Sequence, residues 1–96
     1  MTSVEITGQN IGAMEWIGLT AKVVASTQES RAGASGRVVK ETKNTVVLEG
    51  KNGDIVLPKP EVTLEFEVNG KRLVVRMDEW CFRPEDRIKA WARKNR

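Results

Sequence analysis

The sequence predicts a mainly β fold, a small six-stranded antiparallel barrel with a short N-terminal helix and a C-terminal helix. Three observations support this prediction. Short segments rich in β-branched residues recur along the chain, turn-forming residues separate them at intervals of about eight to twelve residues, and helical signals are confined to the two ends. A chain of 96 residues fits one domain with one modest core. Closure into a barrel would also remove exposed sheet edges.

The N-terminal end is predicted to be a flexible leader over residues 1–10, followed by a helical segment. The leader is polar and lacks the basic and apolar regions of a signal peptide. Asn10 is a candidate cap for a helix over residues 11–16, in which Ile11 and Met14 are spaced i, i+3. This helix and the barrel together are predicted to span residues 11–82.

The first half of the predicted sheet has three strands. Thr20–Ser26 is the first, and a polar loop over residues 27–35 follows it. Residues 36–50 form a hairpin whose turn contains Lys43 and Asn44, with Asn44 able to adopt a positive φ.

The second half of the sheet follows two Asn-Gly turn signals. Asn52-Gly53 predicts a type I′ hairpin turn before a strand over residues 55–57. Val62–Val68 alternates strictly between apolar and polar residues, which indicates a strand with one solvated face. Asn69-Gly70 then predicts a turn into the last strand, residues 72–77.

The C-terminal segment, residues 83–96, is predicted to be a basic helix. Pro84 suits the first helical position, and Glu85 and Asp86 suit the first turn. This segment has a net charge of +4, whereas residues 1–82 have a net charge of −1. The concentration of charge indicates a polyanion-binding surface, although basic residues near a helix C-terminus are also favoured by the helix dipole.

Several classes of function are disfavoured by composition. The chain has no histidine and one cysteine, Cys81, so neither an internal disulfide nor a cysteine–histidine zinc site is expected. Glu65 and Glu67 share the solvated face of a strand, where solvation explains them better than acid–base or metal chemistry. We therefore expect no catalytic residue, metal or cofactor on this chain, no membrane association, and a cytoplasmic location.

Three stretches together resemble a known family. They are Trp16 to Leu19 (WIGL), residues 33–45 (GASGRVVKETKNT) and residues 82–89 (FRPEDRIK). In this order and spacing they are similar to the archaeal ribonuclease P protein component 1 family, the counterpart of a eukaryal ribonuclease P and MRP subunit. The similarity spans residues 16–89, and residues 57–73 match only in their strand pattern.

The resemblance implies an Sm-like, SH3-like barrel with helical termini. It also implies an RNA-binding protein subunit of ribonuclease P, the ribonucleoprotein that removes 5′ leaders from precursor tRNA. In that family the RNA and its magnesium ions carry the chemistry, and a zinc-ribbon protein subunit pairs with the terminal helical segments. Precursor tRNA would then be an indirect partner of this chain.

The candidate RNA-binding residues are the cations of the loops, turns, edge strand and C-terminal helix, because such positions can follow a phosphate backbone. They are Arg31, Arg37, Lys40, Lys43, Arg72, Arg76, Arg83, Arg87, Lys89, Arg93 and Lys94. Some have an alternative role. Arg72 or Arg76 could pair with a glutamate across the sheet, and Arg83 and Arg87 could pair within the helix or with the barrel.

The candidate partner-binding residues are the apolar side chains of the two helical segments, namely Ile11, Met14, Trp16, Ile88 and Trp91. Core packing is the alternative, and it is favoured for Trp16. Two other functions are compatible with a small basic barrel: a protein–protein adaptor that docks an acidic partner, and a generic Sm-type or ribosomal-type RNA binder. The low aromatic content, 5%, disfavours a peptide groove of the SH3 kind.

Overall fold

The computed structural model describes residues 10–94. Apart from Asn10, the predicted leader lies outside these residues, as do the last two residues of the predicted C-terminal helix. Six strands form a single antiparallel sheet with the order β4-β3-β2-β1-β5-β6. The strands are β1 Thr20–Ser26, β2 Ser35–Glu41, β3 Thr45–Gly50, β4 Gly53–Pro58, β5 Val62–Val68 and β6 Lys71–Arg76. The helix α1 spans Pro84–Lys94.

The mainly β prediction with a C-terminal helix is confirmed, but closure into a barrel is not detected. Within residues 10–94, β4 and β6 each pair with a single neighbouring strand and form the two edges of the sheet. The composition of these edges opposes further pairing. Pro58 ends β4, and β6 has cations at Lys71, Arg72 and Arg76, which discourage the addition of another strand.

One face of the sheet covers the core. Strict alternation places Val62, Leu64, Phe66 and Val68 of β5 on this face, where each is at most 5% exposed. Trp16 lies against Phe66 with ring centroids 5.5 Å apart. Short 3-10 helices over Ile11–Ala13 and Met77–Trp80 complete the cluster through Ile11, Met77 and Trp80.

The N-terminal helix is shorter than predicted. A single 3-10 turn, Ile11–Ala13, replaces the expected helix over residues 11–16, and Asn10 makes no side-chain cap bond to it. Met14 is already extended, with φ −96° and ψ 155°. Gly12 disfavours helix, and its Cα lies against the Trp80 ring with no room for a side chain.

The two Asn-Gly hairpin turns differ from each other in type. Asn69 and Gly70 both have positive φ, 51° and 80°, as a type I′ turn requires. At the β3–β4 turn only Gly53 has a positive φ, so the type I′ prediction is wrong there. Asn44 does not adopt a positive φ either, because Asn69 is the single non-glycine residue between 10 and 94 that does so.

Candidate nucleic-acid interface

A β-bulge in β2 decides which of its side chains face inward. Val38 pairs with Leu48, but the next pair joins Lys40 to Val47, so β2 takes two steps where β3 takes one. Without the bulge, strict alternation would place Lys40 in the core and Glu41 in solvent. With it, Lys40 is exposed and Glu41 is 7% exposed on the inner face.

Arg87 of α1 reaches this buried carboxylate. Its Nε and Nη2 donate to Oε2 and Oε1 of Glu41, each at 2.9 Å. Its Nη1 donates to the carbonyl oxygens of Gly12 and Met14 at 2.5 Å and 2.7 Å. The guanidinium also stacks on Trp16, with Cζ 3.8 Å from the ring centroid. Arg87 therefore joins α1 to both β2 and the N-terminal segment.

Lys59, which follows β4, is the second cation on Glu41. Its Nζ donates to Glu41 Oε2 at 2.9 Å and to the carbonyl oxygens of Trp80 and Phe82 at 3.0 Å and 2.9 Å. Burial lowers the pKa of Lys59, and the hydrogen bond and charge of Glu41 oppose that shift. Lys59 thus fixes the connector that leads into α1.

We call Glu41, Lys59 and Arg87 the ion cluster. The side chains of all three are fully buried. Every buried side-chain nitrogen and oxygen within residues 10–94 has a hydrogen-bond partner, which is the condition under which a buried ionic group is tolerated. One carboxylate therefore binds two cations. Arg87 in turn binds the main chain that precedes β1, and Lys59 binds the main chain between β6 and α1.

The structure places three of the candidate residues inside the protein. Arg87 is 0% exposed and each of its side-chain nitrogens donates to a protein oxygen, which is the alternative predicted for it, a link between the helix and the sheet. Ile11 and Trp16 are 1% and 0% exposed and belong to the core, which is the alternative favoured for Trp16. Trp16 Nε1 donates to the carbonyl oxygen of Ile11 at 2.9 Å, which satisfies its one polar group.

Four of the predicted RNA-binding arginines are paired with carboxylates. The pairs are Arg31–Glu61 at 3.0 Å, Arg37–Glu49 at 3.5 Å, Arg72–Glu65 at 3.9 Å and Arg76–Asp78 at 2.7 Å. The cross-strand alternative is thus realised for Arg72. The positive potential of each of these arginines is partly offset by its partner.

Six other predicted cations make no ion pair within residues 10–94, and all six are exposed: Lys40, Lys43, Arg83, Lys89, Arg93 and Lys94. Lys94 lies over the Trp80 ring. We call the other five the turn-and-helix cations. They lie at the end of β2, in the β2–β3 turn, and at the start and on the outer side of α1. Since Arg87 binds Glu41 directly, the ion cluster brings the β2–β3 turn and α1 together.

The β2–β3 turn holds Lys43 in a defined position. Thr45 N donates to Thr42 Oγ1 at 3.1 Å, and Thr42 N donates to the carbonyl oxygen of Thr45 at 2.9 Å. Lys59 N donates to the carbonyl oxygen of Asn44 at 2.7 Å. The turn is therefore anchored on two sides while Lys43 is exposed.

On α1, Arg87 and Lys94 face the body of the protein and Lys89 and Arg93 face away from it. Lys94 Nζ lies 4.9 Å from the Trp80 ring centroid, which gives it a protein contact on the same side as Arg87. Lys89 and Arg93 are spaced i, i+4 and so lie on one side of the helix.

The remaining partner-binding candidates lie in different environments. Ile88 is 44% exposed, Met14 is half-buried, and Trp91 is half-buried and packs against the core cluster. Two exposed lysines, Lys22 on β1 and Lys51 in the β3–β4 turn, also make no ion pair within the described part of the chain and were absent from the sequence-based candidates.

Within residues 10–94, no group of three histidine, cysteine, aspartate or glutamate residues is arranged to hold a metal ion. No helix there is both long and apolar enough to cross a membrane.

Comparison with known proteins gives consistent matches. A family model described as ribonuclease P/MRP, subunit p29, matches residues 9–90. Ribonuclease P protein component 1 of Thermococcus onnurineus is 40% identical over 89 residues, covering 92% of this chain and 70% of the relative. The protein of the same name from Archaeoglobus fulgidus is 40% identical over 82 residues, covering 85% of this chain and 80% of the relative.

A solved structure is also similar. Mth11, described as a homologue of the human RNase P protein Rpp29, superposes with a TM-score of 0.58 at 35% identity. The match covers 78% of this chain and 99% of Mth11.

Proposed function

Because the chain belongs to the ribonuclease P/MRP subunit p29 family and is a protein subunit of ribonuclease P, an enzyme of tRNA processing, we propose that it binds the ribonuclease P RNA through the turn-and-helix cations. The observation that carries this proposal is a set of exposed cations without ion pairs on two elements that the ion cluster joins, the β2–β3 hairpin and α1. Four arginines have carboxylate partners, whereas the five turn-and-helix cations have none within residues 10–94. Unpaired cations attract phosphate most strongly, because no neighbouring carboxylate offsets their charge.

The proposed contacts are to phosphate and 2′-hydroxyl groups rather than to stacked bases. A base-stacking surface needs exposed aromatic rings, and Trp16, Phe66 and Trp80 are buried in the core. A rigid turn carrying Lys43 and a docked helix carrying Lys89 and Arg93 instead suit a folded RNA of fixed shape. The protein would then recognise RNA geometry more than sequence.

We place the chemistry with the RNA and its magnesium ions, as the family resemblance implies. This chain would supply no catalytic group, and its part would be to bind and position RNA so that precursor tRNA is cleaved at its 5′ leader. A cytoplasmic location fits a chain whose single cysteine, Cys81, is a free thiol.

We further propose that a zinc-ribbon protein subunit docks on Met14, Ile88 and Trp91. Ile88 and Trp91 are spaced i, i+3 on α1, and the 44% exposed Ile88 leaves apolar surface beside the half-buried Trp91. Met14 lies on the segment that Arg87 ties to the same helix. An Ile88→Asp variant should lose binding to the zinc-ribbon subunit and keep its RNA affinity.

The test of RNA binding is a footprint of ribonuclease P RNA with the full chain, alone and with the zinc-ribbon subunit, at two salt concentrations. We expect discrete protections that survive competition by bulk tRNA and that Lys40→Glu/Lys43→Glu weakens. Lys51→Glu is the control: it reverses one lysine, half the charge change of the double variant, at the opposite end of β3, roughly 17 Å away. Diffuse protection removed by the competitor, or equal loss in both variants, would contradict the proposal.

A further inference from the structure

The side chains of the ion cluster are fully buried, yet they link the two elements whose exposed cations are proposed to bind RNA. Glu41 follows Lys40 directly in β2 and lies two residues before Lys43. Arg87, which it binds at 2.9 Å through two nitrogens, lies two residues before Lys89 and six before Arg93. A single buried carboxylate therefore connects the turn cations to the helix cations.

The attachment of α1 to the rest of the molecule depends heavily on this carboxylate. Arg87 is the one residue of α1 within 84–94 that is fully buried, and the other side chains of the helix are half-buried or exposed. Because α1 has 11 residues, it is too short to be a stable helix without such tertiary contacts. Loss of the forked bond to Glu41 would free the helix to change its angle or to fray.

We infer that Glu41 is a positioning residue for RNA binding: it orients α1 through Arg87, so that Lys89 and Arg93 face the same RNA as Lys40 and Lys43. This inference rests on the proposed RNA-binding function. It assigns a role in recognition to a buried acidic residue that carries no positive charge and makes no contact with RNA.

Two models predict opposite results for Glu41→Gln. In the first, which we call charge counting, only the net charge of the protein decides RNA affinity; in the second, positioning, the orientation of α1 also matters. Removing a negative charge from a polyanion-binding protein raises its affinity if only the net field matters. If Glu41 positions α1, the same change weakens binding, because the amide cannot hold both nitrogens of Arg87 as a carboxylate does. Glu49→Gln is the matched control, since Glu49 is an exposed glutamate on the neighbouring strand β3.

Arg87→Lys is a second variant that leaves the net charge unchanged. Lysine keeps the positive charge but lacks the planar fork that binds Glu41, Gly12 and Met14 together. Charge counting predicts no change in RNA affinity for this variant, and positioning predicts a loss. If Glu41→Gln does not fold, as judged by its circular dichroism melt, Arg87→Lys takes its place in the experiment below.

The experiment is a thermodynamic cycle on the affinity of the full chain for ribonuclease P RNA. We expect Glu41→Gln and Lys89→Gln/Arg93→Gln each to weaken binding by about tenfold, and their combination to be no weaker than the helix double variant. Adding Lys43→Gln should lower the affinity further in every background. A merely structural effect would instead weaken binding equally with and without the two helix cations.

The outcomes separate the inference from the function on which it rests. If Lys43→Gln and the helix double variant both bind like the wild type, the proposed RNA-binding surface is wrong. If those variants weaken binding but Glu41→Gln binds equally or more tightly, or weakens binding independently of Lys89 and Arg93, the positioning role is wrong and the surface stands.

Discussion

Arg87 closes a forked ion pair on Glu41 with two bonds of 2.9 Å, although the two residues lie 46 positions apart in the chain. The pair is fully buried, and Lys59 shares the same carboxylate. Both stability and the placement of the proposed RNA-binding cations follow from this contact.

Removal of Arg87 should be costly for stability. Arg87→Ala leaves two carbonyl oxygens and the face of Trp16 without their partner, and we expect the free energy of unfolding to fall by about 3 kcal/mol. Glu41→Ala should cost more, since it leaves two buried cations without an anion. The control is Arg83→Ala, at an exposed position beside the same helix, with an expected change of at most about 0.5 kcal/mol. Urea unfolding curves would measure all three, and equal stability of the Arg87 and Arg83 variants would contradict this account.

Lys59 should make stability depend on alkaline pH. Because its pKa in the folded protein is lowered by burial from the ordinary 10.5, the unfolded chain binds more protons than the folded protein between these two values. The contribution of Lys59 to the free energy of unfolding should therefore rise with pH across that window and level off above it. We would measure the difference in unfolding free energy between the wild type and Lys59→Met from neutral pH to 10.5. If the stability of the wild type relative to Lys59→Met instead falls as the pH rises, the hydrogen bond and charge of Glu41 outweigh the effect of burial on the pKa of Lys59.

The two exposed cations of β2 should differ in their importance for RNA. Arg37 has Glu49 3.5 Å away, whereas Lys40 makes no ion pair within residues 10–94. We expect Lys40→Gln to weaken RNA binding severalfold and Arg37→Gln to weaken it less, because the Arg37–Glu49 pair has little net charge. Parallel gel-shift titrations at one salt concentration would test this. A larger loss of RNA affinity for Arg37→Gln than for Lys40→Gln would show that ion pairing with a carboxylate does not decide which cations contact the RNA.

Much of the fold was predictable because its signals are local. The bounds of β1 and β5 agree with the prediction to the residue, since β-branched runs and strict alternation mark them. Pro84 with Glu85 and Asp86 correctly marked the start of α1. The family was also predicted correctly, from the order and spacing of three short stretches.

The ion cluster could not be predicted, because each of its members depends on non-local structure. The bulge after Val38 has no distinctive sequence signal, and a strand without the bulge would be predicted to expose Glu41 to solvent. Lys59 lies between two prolines, and nothing local indicates that its amine is buried. A link from Arg87 to the sheet was one of the predicted alternatives, but its partner Glu41 was not identified. Cross-strand pairing was likewise foreseen for Arg72, whereas the partners of the other arginines depend on register and loop positions.

The most direct test of the account is the salt dependence of binding to ribonuclease P RNA, compared between the wild type and Lys40→Gln/Lys43→Gln. Each phosphate contact contributes about 0.7 to 0.9 to the slope of log K against log salt concentration, so the double variant should have a slope shallower by about 1.4 to 1.8. Lys51→Gln should keep the wild-type slope. An unchanged slope and affinity in the double variant would show that the β2–β3 turn does not contact the RNA, and the proposed interface would be wrong.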